Sequence, residues 1–277
     1  MDVQGSQRNS RRVSHRRLTQ WRLALLRRIP GSTSSDSSHA IAGAWAVCAW
    51  AEISGAAAPL HHHALYQSGL PLWIAALVLL AAWQAMTAAM MLPSSLGFIR
   101  LYAVTASRAP RFPLVLLAFL GSYFAVWTAF ALAAFLSDMQ LHRMVDGWPW
   151  LSAHAASIPA AALGLAAIYQ FSPLKDACLK ACRHPGVYLM HHYRRGVLNG
   201  WRIGFGHALY CLGCCWALML VMFAAGVAHL AWMGVLAAIM FVEKATPVGT
   251  RIVAPVGAAL AALAIVALVA PHSVPGL

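Results

Sequence analysis

The chain has few charges, and few of those are negative. Of its 277 residues only 10% are charged, with 7 Asp plus Glu against 20 Lys plus Arg. Soluble domains carry roughly 25% charged residues, so this chain cannot clothe a water-soluble globule. Cysteine is sparse as well: six in a chain of this length do not form a secreted disulfide framework. There is no Gly-rich phosphate-cradling loop with its Lys, so any ion pumping would need another energy source. Long runs of alternating apolar and polar residues are lacking, which excludes a membrane barrel. No repeat of solenoid period is visible.

What is present is apolar surface. Hydrophobic residues make up 61% of the chain, gathered into runs near the 20 or so residues that a helical span requires. A formal charge of +13 would ordinarily suggest a nucleic-acid binder. That reading fails because the basic residues lie between the apolar runs. The expected fold is all-α, a polytopic transmembrane helix bundle of about seven spans at 40–59, 72–96, 113–136, 153–171, 204–225, 228–243 and 252–270. The first span is Ala-rich and carries Glu52, and the sixth is short. Residues 1–38, rich in Ser and Arg, read as a disordered cytoplasmic tail attracted to anionic headgroups. Residues 39–277 read as one transmembrane domain.

Charge sets the expected orientation. Arg and Lys concentrate in cytoplasmic segments. Arg8 through Arg28 precede span one, Arg100, Arg108 and Arg111 follow span two, Lys175 through Arg202 follow span four, and Lys244 and Arg251 follow span six. With the N-terminus inside and the C-terminus outside, nineteen of the twenty basic residues fall on one side and Arg143 alone on the other.

Soft ligands fall on particular helix faces. In span five, His207, Cys211, Cys214, Cys215 and Met222 occupy an arc of roughly 100° at about 100° per residue. Span two carries Trp83, Met86 and Met90 on one face, with Met91 beside them. Ala81, Ala85 and Ala89 form a small-residue row that admits a neighbouring helix. The two spans run in opposite directions, so the methionines and thiols reach similar depths. Thiolate and thioether ligands select Cu(I), and thiolates also suit zinc. A second candidate is the inner-loop pair Cys178 and Cys182, one helical turn apart, where Lys175, Lys180 and Arg183 would favour thiolates. Packing alone is the competing reading of single Met residues. On the outer side, His61, His62, His63 and His229 are secondary metal candidates, with Met139, His142, Met144 and His154 in or beside the second outer loop. Glu52 joins them as an ionisable residue at membrane depth. Glu243 and Lys244 read as an interfacial pair closing span six.

Three blocks of residues carry a family resemblance. They are Trp83, Met86, Ala89, Met90, Met91 and Pro93; then Lys175, Cys178, Leu179, Cys182, Arg183 and Pro185; then Cys211, Gly213, Cys214, Cys215, Trp216 and Met219, with Glu243-Lys244 downstream. Together they resemble a bacterial family of predicted metal-binding integral membrane proteins, itself similar to a membrane copper chaperone that equips a tyrosinase-type oxidase. Ala228-His229 departs from the Met-Asn expected in many members. The resemblance implies a bacterial inner-membrane protein that handles copper, with Met219 among the ligands and a cuproenzyme or periplasmic copper protein as partner.

The expected function is therefore non-catalytic: Cu(I) held in the membrane and passed outward, with the lipid bilayer and a soft metal ion as partners and no nucleic acid. Two alternatives remain. One is a Cu(I) transporter. The other is a membrane thiol–disulfide oxidoreductase using Cys211 and Cys214, although the expected outer loops contain no Cys, Cys178 and Cys182 fall on the reducing side, and Cys48, alone in span one, cannot form the second pair. Covalent haem is disfavoured, because Cys215 stands where the attachment motif needs His.

Overall fold

In a computed structural model of the chain, the residues described are 31–55, 71–154, 157–224 and 229–270. They form helices α1 Gly31–Ile53, α2 Leu72–Ala106, α3 Phe112–Gly147, α4 Pro149–Ala153, α5 Ser157–Gln170, α6 Pro173–Arg183, α7 Pro185–His192, α8 Val197–Ala224, α9 Leu230–Ala245 and α10 Gly249–Val269. No strand occurs among the described residues, as the unbroken apolar runs predict. Residues 1–30 of the expected tail lie outside the described set, and residues 31–38 are part of α1.

Four helices, α2, α3, α8 and α10, are long and apolar enough to cross a membrane. The bent pair α5 and α6, at 67° to one another, makes a fifth if it counts as one span. The expected first and sixth spans are helical but outside that set. α1 opens on a Ser-rich stretch, and α9 has 16 residues. The largest differences from expectation lie at the ends. α2 and α3 run about ten residues beyond the spans read for them, and the inner loop after span four folds into α6 and α7.

Pro93 does not end α2, although a proline inside a helix removes one backbone hydrogen bond. The carbonyl freed is that of Ala89, four residues earlier, and it accepts from Trp45 Nε1 of α1 at 3.0 Å. The small-residue row thus admits α1 at its inner end, where Ala89 is fully buried, while Ala81 stays exposed.

α8 is the centre of the bundle, packing on α3, α5, α6 and α9. Its closest approach is to α3. A Cβ at Gly200 would meet the Val115 carbonyl, and one at Gly204 the Phe119 carbonyl. Two glycines four apart thus face two carbonyls four apart, the small-residue device for tight helix contact. α6 starts on Ser172, whose side chain accepts from Leu174 N–H at 3.2 Å, with Pro173 in the first turn. Asp176 lies near its start and Lys180 and Arg183 near its end, as the helix dipole favours. Asp176 and Lys180 pair at 2.6 Å on the exposed face. The opposite face lies against α8 and α9.

Candidate metal centre

Three helices bring sulfur together, and a fourth brings a charge. α8 supplies Cys211, Cys214 and Cys215, all essentially inaccessible to solvent. α2 supplies Met91, whose Sδ lies 3.8 Å from Cys215 Sγ. α6 supplies Cys182, whose Sγ lies 4.0 Å from Cys214 Sγ. α9 supplies to this cluster not a sulfur but an ammonium. Lys244 Nζ sits 3.2 Å from Cys211 Sγ, 3.7 Å from Cys215 Sγ, 4.0 Å from Met91 Sδ and 3.4 Å from Ser94 Oγ.

The hydrogen bonds give the three α8 thiols different roles. Cys214 and Cys215 each donate S–H to the Cys211 carbonyl, at 3.1 and 2.8 Å. Cys211 Sγ instead accepts from Lys244 Nζ and has two hydroxyls beside it that can also donate, Tyr123 Oη at 3.2 Å and Ser95 Oγ at 4.0 Å. It is the natural hydrogen-bond acceptor of the cluster. All six cysteines are free thiols, so the sulfurs are available as ligands.

Gly213 explains how α6 reaches this place. A Cβ there would run into Cys178 Sγ, so glycine lets the α6 cysteine lie directly on α8. Tyr169 of α5 donates to the Gly213 carbonyl, fixing the same spot from a third helix. Cys178 and Cys182 therefore do not act as a pair: one packs on Gly213, and the other reaches Cys214.

Beside the sulfurs lies a second buried charge. Glu243 accepts from Lys175 Nζ at 2.7 Å and from Gln170 Nε2 at 3.1 Å, and its backbone carbonyl accepts from Arg183 Nη1 at 2.5 Å. The side chains of Lys175 and Glu243 are each about 2% exposed. This overturns one expectation. Glu243 and Lys244 are not an interfacial pair, since both are buried and point to different partners. Lys175, Lys180 and Arg183, expected beside the thiols, pair with Glu243 and Asp176. Tyr123, Ser94 and Ser95 are the site residues that the sequence did not single out, and Lys244 was read there as one of an interfacial pair rather than as a neighbour of the thiols.

The remaining candidates spread out. Met86, Met90, Met219 and Met222 are fully buried in the same apolar core, but Met91 is the methionine whose sulfur meets a thiol. His207 leaves the sulfur face for a stack of rings. Its centroid lies 3.9 Å from that of Phe98, 5.6 Å from Tyr123 and 6.3 Å from Phe119. Glu52 Oε2 accepts the backbone N–H of Leu230 at 2.5 Å, capping α9. His229, next to it, is half-buried. His142 Nδ1 lies 3.4 Å from an Asp138 carboxylate oxygen, and His154 stacks on Trp150. His61, His62 and His63 lie outside the described residues. Among the described residues no three His, Cys, Asp or Glu side chains are gathered as a ready metal-binding group. The cluster is a mixture of thiols, a thioether and an ammonium.

Residues 80–267 match the model of a protein family, PpoB2, described as copper chaperone. No curated protein and no solved structure matches the chain.

Proposed function

The chain belongs to that copper chaperone family, the match covering more than half of its length, and from this premise we propose that it holds Cu(I) within a bacterial inner membrane and passes it to an outward-facing cuproenzyme or periplasmic copper protein. The observation that carries this reading is the convergence of the buried Cys211, Cys214, Cys215 and Met91, with the half-buried Cys182, from three helices into one cluster. Soft thiolate and thioether donors suit Cu(I), with zinc as the competing ion. Copper is the cargo of this chain and takes part in no chemistry on it.

Under this reading the protein has its N-terminus inside, its C-terminus outside and seven crossings, with α1 and α9 completing the bundle. The positive-inside charge distribution supports that orientation. Cys178 and Cys182 stand at the cytoplasmic mouth. Met86, Met90, Met219 and Met222 line the apolar surroundings as reserve thioethers. The outer His61, His62, His63 and His229, with Glu52, form the exit side.

Full-length protein purified in detergent is expected to bind Cu(I) at about one equivalent or more, measured by metal analysis after chelator washing. Cys214→Ser combined with Cys215→Ser is expected to abolish most of that binding. Unchanged copper per protein in the double variant would sink the assignment.

A further inference from the structure

Building on the copper reading above, we propose that Lys244 is a specificity-determining residue of the sulfur cluster. Its fixed positive charge makes the buried site electrically complete with a monovalent soft ion, and one charge in excess with a divalent one.

The argument starts from what surrounds the ammonium. Lys244 Nζ touches two cysteine sulfurs, a methionine sulfur and a serine hydroxyl. The acid beside it in the chain, Glu243, is committed to Lys175, Gln170 and Arg183. A buried cation is costly unless an anion offsets it, and the groups in contact with Lys244 that can become anionic are thiols. Cys211 is the best placed of them, because the Tyr123 hydroxyl also lies 3.2 Å from its sulfur and can donate to a thiolate there.

The charge count then separates ions. The two thiols that Lys244 touches, Cys211 and Cys215, bind as thiolates in this arrangement, and with the one ammonium they leave a single negative charge. Cu(I) closes that count to zero. Zinc leaves one positive charge in a region without water. To regain neutrality a divalent ion would need a third thiolate, at the cost of another S–H bond to the Cys211 carbonyl. Binding moves no electrons. Each thiol that becomes a ligand releases its proton to water, and the ammonium keeps its own. A lysine suits this task because its charge is compact and its stem flexible, so the ammonium can stay against Cys211 while the sulfurs close on the ion.

The test uses full-length protein in detergent micelles, with Cu(I) and Zn(II) affinities measured separately by chelator competition. Lys244→Met and Lys244→Gln remove the charge, and Lys244→Arg keeps it. The neutral variants are expected to shift the affinity ratio toward zinc by roughly tenfold or more, since an unscreened charge a few ångströms away is worth at least that much. The Arg variant is expected to hold the wild-type ratio. Neutral variants that weaken both metals equally, leaving the ratio unchanged, would show a packing role only and overturn the proposal. A second arm needs no variant. Ag(I) and Cd(II) share an electron configuration and a preference for sulfur, and differ by one charge. Ag(I) is expected to displace copper from the wild-type protein, and Cd(II) in large excess is not. Displacement by Cd(II) overturns the charge argument even if no neutral variant folds. Wild-type protein that takes up no Cu(I) overturns the copper reading itself. Uptake with an unchanged ratio overturns only the role of Lys244.

Discussion

Glu243 and Lys244 are adjacent in the chain and both buried, yet their surroundings differ in kind. Around Glu243 the buried charges close, one carboxylate against one ammonium from Lys175, with an amide donor from Gln170 beside them and the half-buried Arg183 on the backbone carbonyl. Around Lys244 they do not: its partners are sulfurs and a hydroxyl. A closed set of charges fixes helices to one another. An open set stores an electrostatic demand that an incoming ion can complete. Both arise from the same turn of α9, and α6 separates them by meeting Glu243 with Lys175 and the sulfurs with Cys182.

The largest effect should come from opening the closed set. Glu243→Ala strands the Lys175 ammonium in an apolar region, and breaking a buried pair in this way costs about 3–5 kcal/mol. The comparison is the exposed Asp176–Lys180 pair on the other side of α6, where Asp176→Asn should cost no more than about 1 kcal/mol. Denaturation in detergent micelles measures both. Equal losses would mean that the Glu243 set is not the clamp that its burial suggests.

A smaller effect is expected on the open side. Tyr123→Phe deletes the hydroxyl that reaches Cys211 Sγ and Ser95, a loss of about 1 kcal/mol for one hydrogen bond. Copper per protein should stay unchanged while Cu(I) affinity falls several-fold, within about tenfold. A complete loss of copper would place the Tyr123 oxygen among the ligands themselves.

Much of this was legible in the sequence, and the exceptions have physical reasons. The apolar runs announce the helices, and the spacing of Cys211, Cys214 and Cys215 puts the thiols on one face of α8. The helix ends were not legible. Pro93 looks like a boundary until Trp45, 44 residues away along the chain from the carbonyl of Ala89, takes up the freed acceptor. Gly213 looks like a gap in a cysteine motif, but its use is to admit Cys178. Met91 rather than Met86 or Met90 meets a thiol, because the direction in which α9 and α8 approach α2 is a property of the packed bundle. Lys244 was hidden for a similar reason. A basic residue ending an apolar run reads as interfacial, and it is buried because Met91 and Ser94 of α2 and Cys211 and Cys215 of α8 close around its ammonium. Gly200 and Gly204 did carry a signal, the four-residue spacing of small residues, that marks the tight α8–α3 contact.

The smallest effect is expected at His207, and it limits how far the open site extends. By spacing alone His207 belongs with the cysteines, one turn before Cys211. In the bundle that turn faces α2 and α3, where Phe98, Phe119 and Tyr123 supply rings, and the imidazole stacks among them. Its Nε2 is buried without a hydrogen-bond partner, which is a cost rather than a contribution. A phenyl ring fills nearly the same slot and removes the unmet polar atom. His207→Phe should therefore leave stability unchanged or raise it by up to about 1 kcal/mol, with copper per protein equal to wild type. The two readouts together decide the boundary. Intact stability with lost copper would carry the site past Tyr123 into the ring stack and make the imidazole a ligand after all. Intact stability with intact copper confines the site to the sulfurs and the ammonium beside them.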